Sequence, residues 1–119
     1  MKSSRDSMVP ENEMDDLRTE IENILQDPKG STEYRLHAVK RIFERGISRN
    51  CVSELIRTGE IIESYPDDTP FPSCLMMGRC QERPFHVVIG IHMQEKIIHV
   101  ITVYEPDSEA WDSEYRRRT

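Results

Sequence analysis

No stretch of this chain approaches the roughly 18 consecutive apolar residues that a membrane-spanning helix requires. Its longest apolar runs, such as Val87-Val88-Ile89 and Ile97-Ile98, are the size of strands. The opening segment MKSSRDSMVPENEMDD lacks the apolar centre of a secretory signal or lipid anchor, so a cytoplasmic protein with no membrane association is expected. Glycine is scarce at five residues, and the chain contains no glycine-rich phosphate loop, nucleophile elbow or paired metal-binding motif. Cysteine is also sparse. Cys51, Cys74 and Cys80 are an odd number with none of the usual zinc spacings, which argues against a structural zinc site and for reduced thiols.

What the chain has in quantity is charge. Charged residues make up 32% of its 119 positions against 36% hydrophobic, so one small core with a tail is expected. The net charge of −6 is unevenly distributed. Residues 1–33 carry four basic and nine acidic side chains, a net of −5, whereas residues 34–58 carry six basic and two acidic, a net of +4. Five acids over 105–114 precede Arg116, Arg117 and Arg118. A basic patch between acidic flanks suits a local anionic ligand better than extended nucleic-acid wrapping.

The periodicity separates three parts: an acidic extension over 1–30, a folded domain over 31–106 and a charged tail over 107–119. Residues 1–10 read as disordered. Met14, Leu17, Ile21, Ile24 and Leu25 then follow helical spacing over 11–26, started by Pro10 and stopped by Asp27-Pro28-Lys29-Gly30. A second helix is expected from Ser31 or Thr32 to Arg45, ending at Gly46. Ser48 caps a third, whose apolar stripe is Cys51, Val52, Leu55 and Ile56. The two form an αα-hairpin. Four strands follow, at about 60–65, 73–78, 84–93 and 96–104, with Gln94-Glu95 as a tight turn. The expected fold is α+β, with N-terminal helices packed on a four-stranded antiparallel meander.

Two groups of residues stand out. On a helical wheel measured from Leu36, the residues Leu36, Ala38, Val39, Ile42 and Phe43 fill one arc, while His37, Arg41 and Arg45 fall at about 100°, 140° and 180°. Guanidiniums bind phosphate with two parallel hydrogen bonds, and a neighbouring imidazole transfers protons near neutral pH. The same pattern also describes a solvated helix face. In the hairpin, a two-residue turn pairs Gly90 with His99. It places Phe85, Val87, Ile89, Ile91, Ile98, Val100, Thr102 and Tyr104 on the face that receives the helices. His86, His92 and His99 fall on the other, partly open face. Those histidines suit acid–base work, a metal, or no chemistry at all. Tyr104 is then either a core edge or a phosphate donor.

From Tyr34 to Pro106 the chain resembles a prokaryotic family known as domain of unknown function 4258. The resemblance is carried by HAVKRIFERGIS (37–48), RTGEIIESYPDDTPFPSCL (57–75), RPFHVVIGI (83–91) and ITVYEP (101–106). That family looks like a distant relative of the RelE and BrnT class of toxin–antitoxin ribonucleases. The resemblance implies a RelE-like fold, RNA as partner and substrate, metal-free cleavage without a cofactor, and a small zinc-finger protein of the antitoxin type as companion. It leaves the oligomeric state open. It implies His37 or His86 as base or acid, Arg41 and Arg45 on the phosphate, and Tyr104 as a donor. Arg79, Arg83, Arg116, Arg117 and Arg118 would hold the RNA strand. Without turnover, the same basic helix would serve a non-catalytic module that binds an acidic protein or a nucleotide.

Overall fold

The computed structural model describes residues 16–107 together with Trp111 and Tyr115. The expected start of the first helix, with Pro10 and Met14, lies outside the described residues, as do residues 1–10 and Arg116, Arg117 and Arg118.

Residues 16–26 are helical (α1) and bury Leu17, Ile21 and Ile24, which recur at i, i+4 and i+7. Arg18 secures this helix by donating to the carbonyls of Ile56 and Arg57, at 2.9 and 2.5 Å. Those carbonyls lie in the last turn of another helix, where backbone acceptors lack intrahelical partners. At the other end of α1, Lys96 donates to Asp27 at 2.7 Å and holds the Asp27 carboxyl below its usual range.

The residues read as the start of the second helix are a strand. β1 (Ser31–Tyr34) runs parallel to β5 (Ile97–Tyr104), with Ser31 opposite Ile97 and Tyr34 opposite Val100. Arg35 is extended at φ −67°, ψ 154°, and its N–H reaches the Val100 carbonyl at 3.0 Å, so α2 begins only at Leu36. STEY has no decisive local preference, and hydrogen bonds to a strand some 65 residues away in sequence decide its conformation.

α2 (Leu36–Arg45) ends at Gly46, whose φ of 71° is the left-handed conformation that glycine adopts without steric cost. α3 (Arg49–Thr58) is capped by the Ser48 hydroxyl, which accepts from the Cys51 N–H at 3.1 Å. β2 (Glu60–Tyr65), β3 (Ser73–Cys80), β4 (Arg83–His92) and β5 then form an antiparallel meander. The sheet has five strands in the order β1-β5-β4-β3-β2 and is mixed, where a four-stranded antiparallel sheet was expected.

Both faces are defined by the register. Cys74, Met76, Phe85, Val87, Ile89, Ile91, Ile98, Val100 and Val103 point to the helices, each 1% exposed or less. They close the core with Ala38, Ile42, Val52, Leu55 and Ile56. Cys51 on α3 and Cys80 on β3 are joined by a disulfide with Cα atoms 6.0 Å apart, so the expectation of three reduced thiols is corrected. Cys74 is the free cysteine. It is fully buried, and desolvation pushes its thiol up to about 12.

The wheel of α2 is turned relative to expectation. Ala38 and Ile42 are buried and Arg41 and Arg45 are half-buried, whereas Leu36 and Phe43 face solvent. The buried arc is centred roughly 60° away from the apolar arc. The sheet accepts the small Ala38 and the Ile42 beneath the helix, and the arginine stems cover the flank.

Candidate functional site

The site is created by one extra residue in β5. Near the turn the register is the expected one, with His92 opposite Ile97, Ile91 opposite Ile98 and Gly90 opposite His99. Ile89 pairs with Val100, but Val88 pairs with Thr102, so Ile101 is a bulge. From there on every side chain of β5 changes face. Val103 goes inside opposite Val87, and Thr102 and Tyr104 turn to the far face of the sheet. The expectation that Tyr104 faces the helices, away from His86, is therefore corrected: the two are direct cross-strand partners.

His86 has no exposed surface, although a partly open face was expected. Its Nε2 lies 2.7 Å from the Tyr115 backbone carbonyl, and its Nδ1 lies 3.3 Å from the Tyr104 hydroxyl. A carbonyl only accepts, so Nε2 carries the proton, and in the neutral ring Nδ1 accepts from the tyrosine. Trp111, 4% exposed, meets the imidazole edge-on with ring centroids 4.4 Å apart. Arg79 lies on the same face, exposed, two residues along β3 from Met77, which pairs with His86.

The other two strand histidines occupy the turn end of this face. Phe71, from the loop before β3, stacks on both, with centroids 4.4 Å from His92 and 5.0 Å from His99. His99 is 8% exposed and neither ring nitrogen has a hydrogen-bond partner; Glu33 stands 3.9 Å from Nδ1. Burial lowers the His99 pKa, Arg35 and His92 push it the same way, and Glu33 opposes them. Among the described residues no group of three or more His, Cys, Asp or Glu is placed to hold a metal ion.

The basic helix lies on the opposite side of the sheet. His37 is exposed, Arg41 pairs with Glu44 at 3.1 Å, and the Nε of Arg45 is buried without a hydrogen-bond partner. Arg83 points to the helices, makes two contacts of 3.2 Å with Glu105 and donates to the Arg45 carbonyl at 3.2 Å. It is thus engaged in holding α2 to the end of the sheet. The structure brings His86, Tyr104 and Arg79 to one face and His37, Arg41, Arg45 and Arg83 to the other. Sequence reasoning missed Trp111, Phe71 and the bulge. Gly90 in β4 neighbours the bulge but stays in regular register opposite His99, and an added Cβ there would meet Ile101 Cδ1 at an ordinary 3.5 Å, so it is no signal of the bulge.

A helix pair on one face of a mixed sheet, with a histidine–tyrosine pair on the other, defines a small α+β protein. The family described as Domain of unknown function (DUF4258) matches residues 34–105, about three-fifths of the chain, and the chain belongs to that family. No curated protein and no solved structure matches it. Among the described residues no helix is long and apolar enough to cross a membrane.

Proposed function

We propose that this protein is a toxin-like endoribonuclease of the toxin–antitoxin type, distantly related to the RelE and BrnT class, with His86 and Tyr104 as its acid–base couple. The observation that carries the reading is their cross-strand pairing at 3.3 Å. Metal-free RNA cleavage needs a base for the ribose 2′-hydroxyl, a cation for the phosphate and an acid for the leaving oxygen. Tyr104 passes the 2′-hydroxyl proton to His86 Nδ1 by giving up its own. Because Nε2 is held by the Tyr115 carbonyl, the proton returns by the same route: Tyr104 donates its hydroxyl proton to the leaving 5′-oxygen and recovers one from the imidazolium Nδ1, while Arg79 faces the phosphate. RNA reaches the couple only where the Trp111 indole is not over the imidazole. RNA and a small zinc-finger protein of the antitoxin type are the partners under this reading. A cytoplasmic location belongs to the same proposal and is tested by cell fractionation; the Cys51–Cys80 disulfide is a bond type more usual in oxidising compartments, so recovery outside the cytoplasm would overturn that part.

The test is incubation of the purified full-length protein with RNA in EDTA. Cleavage is expected, and is expected to vanish in His86→Ala and Tyr104→Phe but to persist in His37→Ala. Intact RNA after long incubation at high protein concentration would overturn it.

A second reading, binding of an acidic protein or nucleotide through α2 without turnover, is favoured by the complete burial of His86 beneath Trp111. It predicts binding with no cleavage and growth unaffected by overexpression.

A further inference from the structure

The outward side of α2 carries an apolar ridge that the core does not use. Leu36 is 76% exposed and Phe43 85%, whereas among the described residues the next most exposed large apolar side chain, Met93, stands at 42%. The two lie two turns apart, roughly 10 Å along the axis, with half-buried Val39 on the same side. Cations frame the ridge. Arg35 is exposed at its N-terminal end and Lys40 is exposed beside it, about 40° round the helix from Leu36, whereas Arg41 lies farther round at about 140°. The one carboxylate on the helix, Glu44, is already held by Arg41 at 3.1 Å.

We propose that this ridge is the docking surface for an acidic amphipathic helix of a second protein. Apolar positions at i, i+3 and i+7 form a straight ridge that fits the groove of a helix laid alongside, and the surplus of positive charge selects carboxylates on its flank. A second copy of α2 would set Lys40 and Arg35 against the same cations. A nucleic acid would meet the aliphatic Leu36 and the carboxylate of Glu44. The inference deepens the binding reading of α2 by naming its surface and partner class, and does not depend on RNA cleavage.

The experiment places a photo-crosslinker on the ridge, as Phe43→p-benzoylphenylalanine, in the full-length chain made in its own cells. A matched probe at the exposed turn residue Gln94 is the control. The expected result is a discrete protein adduct at position 43 and none at position 94. Its linked peptide is rich in Asp and Glu, with apolar residues at helical spacing. Lys40→Glu or Leu36→Ser in the same background lowers the yield at least about tenfold. Both residues are exposed, so an unchanged circular-dichroism melt confirms that the fold survives. Failure to exceed the position-94 control overturns the proposal, as does an adduct only with a second copy or with RNA. An adduct with a non-acidic segment overturns this surface chemistry yet leaves α2 a binding element, so the two failures are distinguishable.

Discussion

Exchanging Val103 and Thr102, one at a time, for each other's residue type tests the strand bulge that assembles the site. Valine and threonine have the same shape and similar strand preference, so Val103→Thr and Thr102→Val differ mainly in where a hydroxyl is placed. Val103 is 0% exposed among Val87 and its neighbours on the helix-covered face, whereas Thr102 is half-buried on the far face. A hydroxyl at 103 displaces a methyl from the core and buries a polar group, at a cost on the order of 1–3 kcal/mol. Removing the hydroxyl at 102 should change stability by no more than about 0.5 kcal/mol. Urea denaturation of the oxidised protein reads both. With a slope of about 1–2 kcal/mol per molar, a loss of roughly 2 kcal/mol lowers the midpoint by about 1–2 M. The reasoning is refuted by the opposite ranking, in which Val103→Thr is silent and Thr102→Val stabilises. That ranking would restore the unbulged register and turn Tyr104 away from His86.

Thiol counting tests the disulfide. The native protein should show no readily reacting thiol, because Cys51 and Cys80 are bonded and the Cys74 thiol is buried and pushed up to about 12. Unfolding without reductant should release one thiol; release of three would restore the reduced reading. Closing a separation of 29 residues makes the bond worth roughly 3–4 kcal/mol in the chain-entropy account, so Cys51→Ser with Cys80→Ser should lower stability by about that amount. Stability should also depend on pH through His99. Its pKa in the folded protein lies below the ordinary value of 6.5, so the unfolded chain binds more protons, and stability is lost as the pH falls from about 6.5 through the folded value. The difference between wild type and His99→Gln in thermal melts from pH 7.5 to 5 should grow on the acid side; parallel profiles would remove His99 from the account.

Much of this fold is legible in the residues. Ser48 caps α3 and Gly46 ends α2 as their chemistry dictates, and the meander from β2 to β5 follows from its apolar runs and the loop between Tyr65 and Ser73. The departures share a physical cause: each is decided by contacts distant in the chain. STEY becomes a strand because β5 offers it hydrogen bonds. α2 turns its arginines partly inward because the sheet beneath it accepts Ala38 and Ile42, leaving Leu36 and Phe43 outside. For the site, the sequence supplied His86, Tyr104 and Arg79 as separate candidates, but IIHVITVY lacks the polar–apolar alternation that would reveal which residue is extra. The faces beyond Ile101 were therefore inverted. Trp111 drew no notice because no periodicity surrounds it, yet it is the side chain that closes over His86.

Under the proposed function, His86 and Tyr104, brought together by the bulge at Ile101, act as one chemical unit on RNA. The most direct measurement is the rate of RNA cleavage in EDTA by wild type, His86→Ala, Tyr104→Phe and the double variant, each shown to be folded by its thermal melt. The account predicts cleavage by wild type and its loss in either single variant, with the double variant no worse than the singles, as expected for residues that work as a unit. Uncut RNA with folded wild type, or cleavage that survives His86→Ala, would contradict it.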